Sequence, residues 1–352
     1  MNEVKIKYSG QPIKYGGSYL SYVDYNPLNL PQYTMRVRIK DGVTPTFVKG
    51  TGTQVSSDPN VWDLTYPDQQ WGLMFVTSIS DYNDDVVEVL GFNTDGITSM
   101  TGLFMNCRAL ETVCMIDTRN ITSTLSMFYN CKSLVNVPDF DTPLITSSRQ
   151  MFYGCESMTV APRVITNNVT NMYAMFSGCS KLMSVPLYET GLVTDMSQMF
   201  IDCTWLQSCP TFDTHSVVNM TQMFQGTNLR VAPAFDTSSC LYMGGMFSMC
   251  ARLSAVPLYN TANVQNFQSM FYQCYAITEI PLLNTSSAVT VEKMFQRCQA
   301  VEHGALALYN QMSSQTTPPT RYNKCFNLCG YNTTTGLEEL RQIPTSWGGY
   351  MV

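Results

Sequence analysis

Thirteen cysteines, two histidines and a recurring acidic position are the residues of this 352-residue chain whose types could support chemistry. Eight of the cysteines (Cys107, Cys131, Cys155, Cys179, Cys203, Cys250, Cys274 and Cys298) each stand three residues after a Phe. So regular a spacing describes a ladder of small apolar side chains in a core, not a ligand set. The odd count shows no disulfide plan, and reduced, buried thiols are expected. Cys325 and Cys329 offer a zinc site with His303, but no fourth ligand stands at a suggestive spacing. Only two histidines, His215 and His303, are available as a base, and His215 occupies a repeat position held elsewhere by Arg119, Gly191 or Ser238, which marks it as a surface residue. The acidic row Asp117, Asp141, Glu189, Asp213 and Asp236 could collect Ca²⁺ along one face. Asn93, Asn260 and Asn284 take the same place in other copies and Ile165 breaks the row, which favours a turn-capping role shared by Asp and Asn. No catalytic residue, cofactor or metal is expected.

Composition narrows the classes further. A net charge of −6 argues against nucleic acid as a partner, and no stretch approaches the ~20 apolar residues of a membrane span. The opening MNEVKIKYSG has charged residues where a secretory signal needs an apolar run, so synthesis without an export signal is expected.

The element that must position these residues is a repeat. Phe104, Phe128, Phe152, Phe176, Phe200, Phe224, Phe247, Phe271 and Phe295 recur every 24 residues, with one interval of 23 where MFQGTNL has lost a residue and its Cys. Ten residues before each Phe stands a Thr, and two residues earlier an apolar or aromatic side chain, as in Phe140 with Thr142. That alternation predicts a strand, with Pro138, Pro162, Pro186 and their equivalents at its start. Between Thr and Phe the apolar spacing changes to three and four, as in Val169, Met172, Met175 and Phe176, which predicts a short amphipathic helix ended by residues such as Gly154 or Gly178. The fold class expected is therefore an α/β solenoid: nine strand–helix coils of ~24 residues in a right-handed stack with a parallel β-sheet. Its domains are an extended Tyr/Gly/Pro-rich arm over 1–32, a β-rich N-terminal cap over 33–85, the solenoid over 86–302 and a helical C-terminal cap over 303–352.

The repeat phrase, seen in KLMSVPLYETGLVTDMSQMFIDC and LQSCPTFDTHSVVNMTQMFQG, resembles the BspA-like leucine-rich repeat family of bacterial surface proteins between Val86 and Val301. Members of that family are usually exported adhesins or lipoproteins, and this chain departs from them in its opening residues. The flanks YTMRVRIKDGVTPTF, SSDPNVWDLTY and GALALYNQ resemble those of such arrays in gut bacteriophage proteins. The resemblance implies a non-enzymatic structural and binding protein of a bacteriophage particle, in head or tail, assembled in the host cytoplasm and adhering to the host surface. The alternative is a bacterial cell-surface adhesin that binds host protein or glycan. Two sets of residues are candidates for contact. Tyr129, Tyr153, Ile201 and Tyr272 directly follow the repeat Phe and form a stripe suited to a protein or sugar. Tyr8, Tyr15, Tyr19, Tyr22 and Tyr25 lie in the arm, which would anchor the chain to other virion subunits. Homo-oligomerisation stays open.

Overall fold

The computed structural model describes residues 26, 28–43, 51–65, 84–281 and 283–350, together with the backbone of 14–15 and 18–19. Two short strands, β1 (Lys14–Tyr15) and β2 (Ser18–Tyr19), pair antiparallel. The N-terminal cap is a mixed sheet in the order β4-β5-β3-β6-β7, built from β3 (Thr34–Ile39), β4 (Thr51–Gln54), β5 (Val61–Thr65), β6 (Val86–Phe92) and β7 (Thr112–Val113). Charged pairs sit directly across its antiparallel strands, Arg36 Nε with Asp63 Oδ1 at 2.6 Å and Arg38 with Glu88 at 3.1 Å, and Arg38 also reaches Asp58, just before β5, at 2.7 Å. Strand β6 pairs with β3 on one side and runs parallel to β7 on the other, so the cap passes into the repeats through a shared strand. Residues assigned from sequence to the arm also belong to this cap. Leu30 is buried, and its carbonyl accepts hydrogen bonds from the side chains of Asn26 and Asn93 at 3.0 and 2.8 Å.

Beyond the cap the chain stacks coil upon coil, with position 0 assigned to the repeat Phe. Nine Phe rings from Phe104 to Phe295 are fully buried and stack from coil to coil at 5.1–5.9 Å, nearly parallel. Phe326 extends the column at 6.2 Å. A tenth coil therefore lies inside the segment assigned from sequence to the helical cap. Its Phe follows Cys325 in place of Met, and α1 (Ala305–Ser313) is inserted before it, which hides the period. The helix α2 (Thr334–Gln342) and a 3₁₀ turn over Thr345–Trp347 close the stack, with Trp347 lying flat on Tyr322 at 4.3 Å.

The expected helix within each coil is absent, and the reason is local backbone geometry. Positions −2 and +2 both have positive φ in every coil, as at Ala174 (52°) with Gly178 (76°) and Gln198 (60°) with Asp202 (56°). An α-helix needs φ near −60° at every residue, so a left-handed residue every fourth position forbids it. Hydrogen bonds of the i→i−3 kind take its place: Met175 N–H to the Met172 carbonyl at 3.2 Å, then Cys179 N–H to Phe176 at 3.1 Å. Successive turns of this type return an inward side chain every three or four residues, which reproduces the helical spacing of apolar residues without a helix.

The N–H groups not used in these turns join the coils. Those at positions −4, −2, 0 and +2 donate to the carbonyls at −5, −3, −1 and +1 of the next coil, as Met172 to Asp195, Ala174 to Ser197, Phe176 to Met199 and Gly178 to Ile201, at 2.7–3.0 Å. This ladder replaces the strand expected around the Thr. Parallel bridges recur at position −5, from Ser99↔Ser123 to Thr290↔Arg321, whereas the expected strand segment keeps one isolated bridge, Phe140↔Val164.

Side chains inside the stack are hydrogen-bonded coil to coil. Thr118, Thr166, Thr190 and Thr214 are buried and donate to the carbonyls of Asp141, Glu189, Asp213 and Asp236 in the next coil at 2.7–2.8 Å. The ladder thiols point the other way: Cys131, Cys179, Cys203 and Cys274 donate to the Phe carbonyl one coil back at 3.0–3.1 Å. In the shortened coil Thr227 fills the Cys position, donating to Phe224 at 2.8 Å, so the missing residue falls between Thr227 and Leu229.

Candidate functional site

The ladder face carries the outward side chains of positions −3, −2 and +1, and it is here that the candidate contact residues fall. Tyr129 and Tyr153 are half-buried and stack on each other at 4.5 Å with planes 5° apart. The next copy is Ser177, which is buried, so the aromatic row stops after two rings. Ile201 is half-buried one coil further on, and Tyr272 stands apart from the tyrosine pair, toward the C-terminal end. The stripe is thus one stacked pair and two separate residues. Tyr8, Tyr22 and Tyr25 lie outside the described residues, as do the side chains of Tyr15 and Tyr19.

Tyr272 lines a feature that sequence reasoning did not single out. A shallow groove of 430 Å³ crosses four coils of the ladder face, with Gln222 and Gln225 on one side, Gln268 and Tyr272 on the other, and Lys293 and Gln296 beyond. Its floor is Gly244 and Gly245, at positions −3 and −2 of the coil containing Phe247. Every other coil carries at least one side chain across these two positions, so this glycine pair alone leaves a notch. A Cβ added at Gly244 would press on the Asn266 amide at 3.1 Å, and one at Gly245 on Gln222 Cγ at 3.0 Å. Gly-Gly beside Met-Phe was legible in the sequence, but its meaning depends on knowing that these positions face outward.

A chain of side-chain hydrogen bonds leads along the face into this notch. Tyr173 Oη donates to Gln198 Oε1 at 2.9 Å, Gln198 Nε2 to Gln222 Oε1 at 3.0 Å, and Gln222 Nε2 to Gln225 Oε1 at 2.8 Å. At the far wall Gln296 Nε2 donates to Asn327 Oδ1 at 2.9 Å. Amides linked in one sense polarise one another, which strengthens the terminal donor.

The other candidate chemistry does not assemble. Asp213 Oδ1 meets His215 Nδ1 at 2.7 Å on the exposed surface, which raises the His pKa and lowers that of the carboxyl through their hydrogen bond. The Asp/Asn row caps turns: the backbone N–H two residues on bonds to the side chains of Asn93, Asp117, Asp236 and Asn284 at 2.9–3.1 Å. Asp117 also binds Arg119, which lowers its pKa. Cys325 and Cys329 are fully buried in the tenth coil, whereas His303 is exposed and its backbone forms a parallel β-bridge with Glu279. Among the described residues no three His, Cys, Asp or Glu side chains gather where a metal could sit, and no helix is long and apolar enough to cross a membrane.

Comparison with known proteins follows these repeats. No curated protein matches the sequence. The crystal structure of a leucine-rich repeat protein from Bacteroides ovatus is similar over 75% of this chain and 88% of that one, at 15% identity and a TM-score of 0.35. A family model described as Mycoplasma protein of unknown function, DUF285, matches residues 73–184, 163–232 and 194–308. These segments run through nearly the whole stack of coils and cover more than half of the sequence, and the chain belongs to the DUF285 family.

Proposed function

We propose that this chain is a non-enzymatic binding protein displayed on a surface, with the ladder face as its contact face. The observation that carries this reading is the notch at Gly244–Gly245, a recess framed by hydrogen-bonding side chains on a backbone cross-linked at every coil. Binding sites are concave, largely pre-formed and equipped with a few polar groups that fix orientation, and this recess meets that description at modest depth. The surface in question is that of a bacteriophage particle. The segment before Asn26 docks onto another structural subunit through its tyrosines, and the ladder face meets the host cell. This reading rests on the resemblance of the flanking segments to those of phage-encoded arrays. A second reading, a bacterial cell-surface adhesin, is favoured by the repeat phrase itself, whose resemblance is to exported surface proteins.

The deciding measurement is location. Antibody raised against the chain, used for immunogold labelling of purified virions alongside mass spectrometry of the same particles, should find it in stoichiometric amount. Finding it only on the outer surface of bacterial cells transfers the assignment to the adhesin; finding it at neither surface sinks both. A chain truncated to begin at Asn26, which keeps the Leu30 contacts with Asn93, should fold with an unchanged circular dichroism spectrum and fail to enter particles.

A further inference from the structure

The two walls of the notch offer opposite halves of a hydrogen-bond pair. On one side the relay from Tyr173 ends at Gln225, whose Nε2 has no partner among the described residues. On the other, Gln296 spends its Nε2 on Asn327 and keeps Oε1 as an open acceptor. A hydroxyl group both donates and accepts, so a donor wall facing an acceptor wall suits a molecule that carries several hydroxyls. The half-buried ring of Tyr272 stands beside them, a flat apolar surface on which the C–H face of a sugar can rest.

Charge at the C-terminal end of the groove is biased one way. Lys293 lines it, and Arg297, Arg321 and Lys324 follow on the same and the next coil, all at least half-exposed or fully exposed. Among them Glu292 is engaged by Arg321 at 2.9 Å and lies 4.0 Å from the Lys293 ammonium. Four cations against this one acid leave a local excess of positive charge, which favours an anionic group.

We propose that the groove over Gly244 and Gly245 binds a carboxylated saccharide, with a ring against Tyr272 between Gln225 and Gln296 and its carboxylate toward Lys293. The inference rests on the reading of the chain as a binding protein and adds the chemical class of the ligand. Hydrogen-bonding groups dominate the lining, which suits a hydroxylated ring better than the apolar anchors of a peptide. The three intervals of ~4.8 Å between four coils give a length of roughly 14 Å, room for a short oligosaccharide laid along the stack.

The test uses the full chain and four probes: 3′-sialyllactose and trigalacturonic acid, with lactose and the methyl ester of trigalacturonic acid as their uncharged counterparts. Calorimetry and amide chemical-shift mapping should show at least one acidic probe binding about tenfold more tightly than its neutral counterpart. Shifts should centre on residues 244–245, 272 and 293. Tyr272→Ala should weaken binding about tenfold, and Gly244→Gln, which fills the notch, should abolish it. Lys293→Gln should bring the acidic and neutral probes to within about twofold of each other. Thr101→Gln, which puts glutamine at the same repeat position in the first coil, should fold and bind as the parent does. Failure of both acidic probes at millimolar concentration, equal binding of the neutral ones, or undiminished binding by Gly244→Gln overturns the proposal. Because location on virion or cell is measured separately, a chain found in particles that binds none of the probes overturns this inference alone.

Discussion

Thr at two buried positions shows how a single atom decides stability in this stack. Thr190 donates to the Asp213 carbonyl at 2.7 Å, whereas the hydroxyls of Thr124 and Ser148 are buried with no hydrogen-bond partner among the described residues. Both occupy position −4, where the coils around them place Met100, Met172 and Met196. The same substitution should therefore act with opposite sign. Thr190→Val removes a buried bond and strands a carbonyl, at a cost of about 1–2 kcal/mol, while Thr124→Val relieves an unpaired hydroxyl and should gain about 1 kcal/mol. Urea unfolding midpoints check this, and a shift of the same sign for both would refute it. The thiols follow the same logic of burial. Desolvation pushes Cys107 and Cys298 up to about 12 and Cys250 to about 11, so at pH 8 almost no thiolate is present to react. A thiol reagent should leave the ladder cysteines untouched in the folded protein and titrate all thirteen after unreduced unfolding. Any shortfall would reveal disulfides.

At the scale of the coil, the left-handed positions govern local stability. Ala174 and Gly178 have φ of 52° and 76° in the same coil, and a Cβ at Gly178 would meet only ordinary contact, Gly154 Cα at 3.4 Å. Ala174→Gly should stabilise by about 0.5–1 kcal/mol and Gly178→Ala should destabilise by about 1 kcal/mol, because only glycine adopts positive φ without steric cost. Thermal unfolding of the two variants is the check; a stabilised Gly178→Ala protein would show that backbone strain is not what these positions carry. The same rows explain what could be read in advance. The inward residues were legible because burial repeats with the period: Phe, Cys, Thr and the apolar residue before Thr all stand where the sequence placed them. The secondary structure was not, because turns and helices share a spacing of three and four. The discriminating signal was position +2, where Asn106, Asn130, Gly154, Gly178, Asp202 and Gly226 are the residue types that tolerate positive φ. Position −2 is Gly only at 102 and 245 and is Gln, Ser, Lys or Ala in the other coils, so its mark is weaker. The notch escaped for a related reason, since a glycine pair means a recess only once its face is known.

For the whole molecule, a coil touches its two neighbours and little else, so stability should grow by increments along the stack. Deleting residues 187–210 removes one period and joins Pro186 to Thr211 in register. That shortened chain should remain soluble and unfold cooperatively at a lower temperature. Deleting only 187–198 puts Phe and Thr rows out of step and should give no folded protein, as circular dichroism and size exclusion would report. Equal tolerance of both deletions would mean that the rows do not hold the stack together.

The direction of the bonds between coils has an electrical consequence. In an ordinary sheet, peptide dipoles alternate along each strand and nearly cancel. Here every second peptide of the ladder face is consumed by a turn within its own coil. The remaining ones, four in each coil but three in that of Phe128, all point their N–H groups at the following coil, from Met100, Gly102, Phe104 and Asn106 through to Val291, Lys293, Phe295 and Arg297. They form four head-to-tail columns, aligned as the peptides of an α-helix are, with the positive ends at the last coil and the negative ends at the first. Bonds at position −6, beside the ladder, and at position +7 run backward, as Thr194 to Thr170 and Met183 to Thr159, and offset part of this field. The ladder face is thus polarised by its backbone along its whole length, and a molecule with a dipole of its own would find the two ways of lying on it unequal in energy.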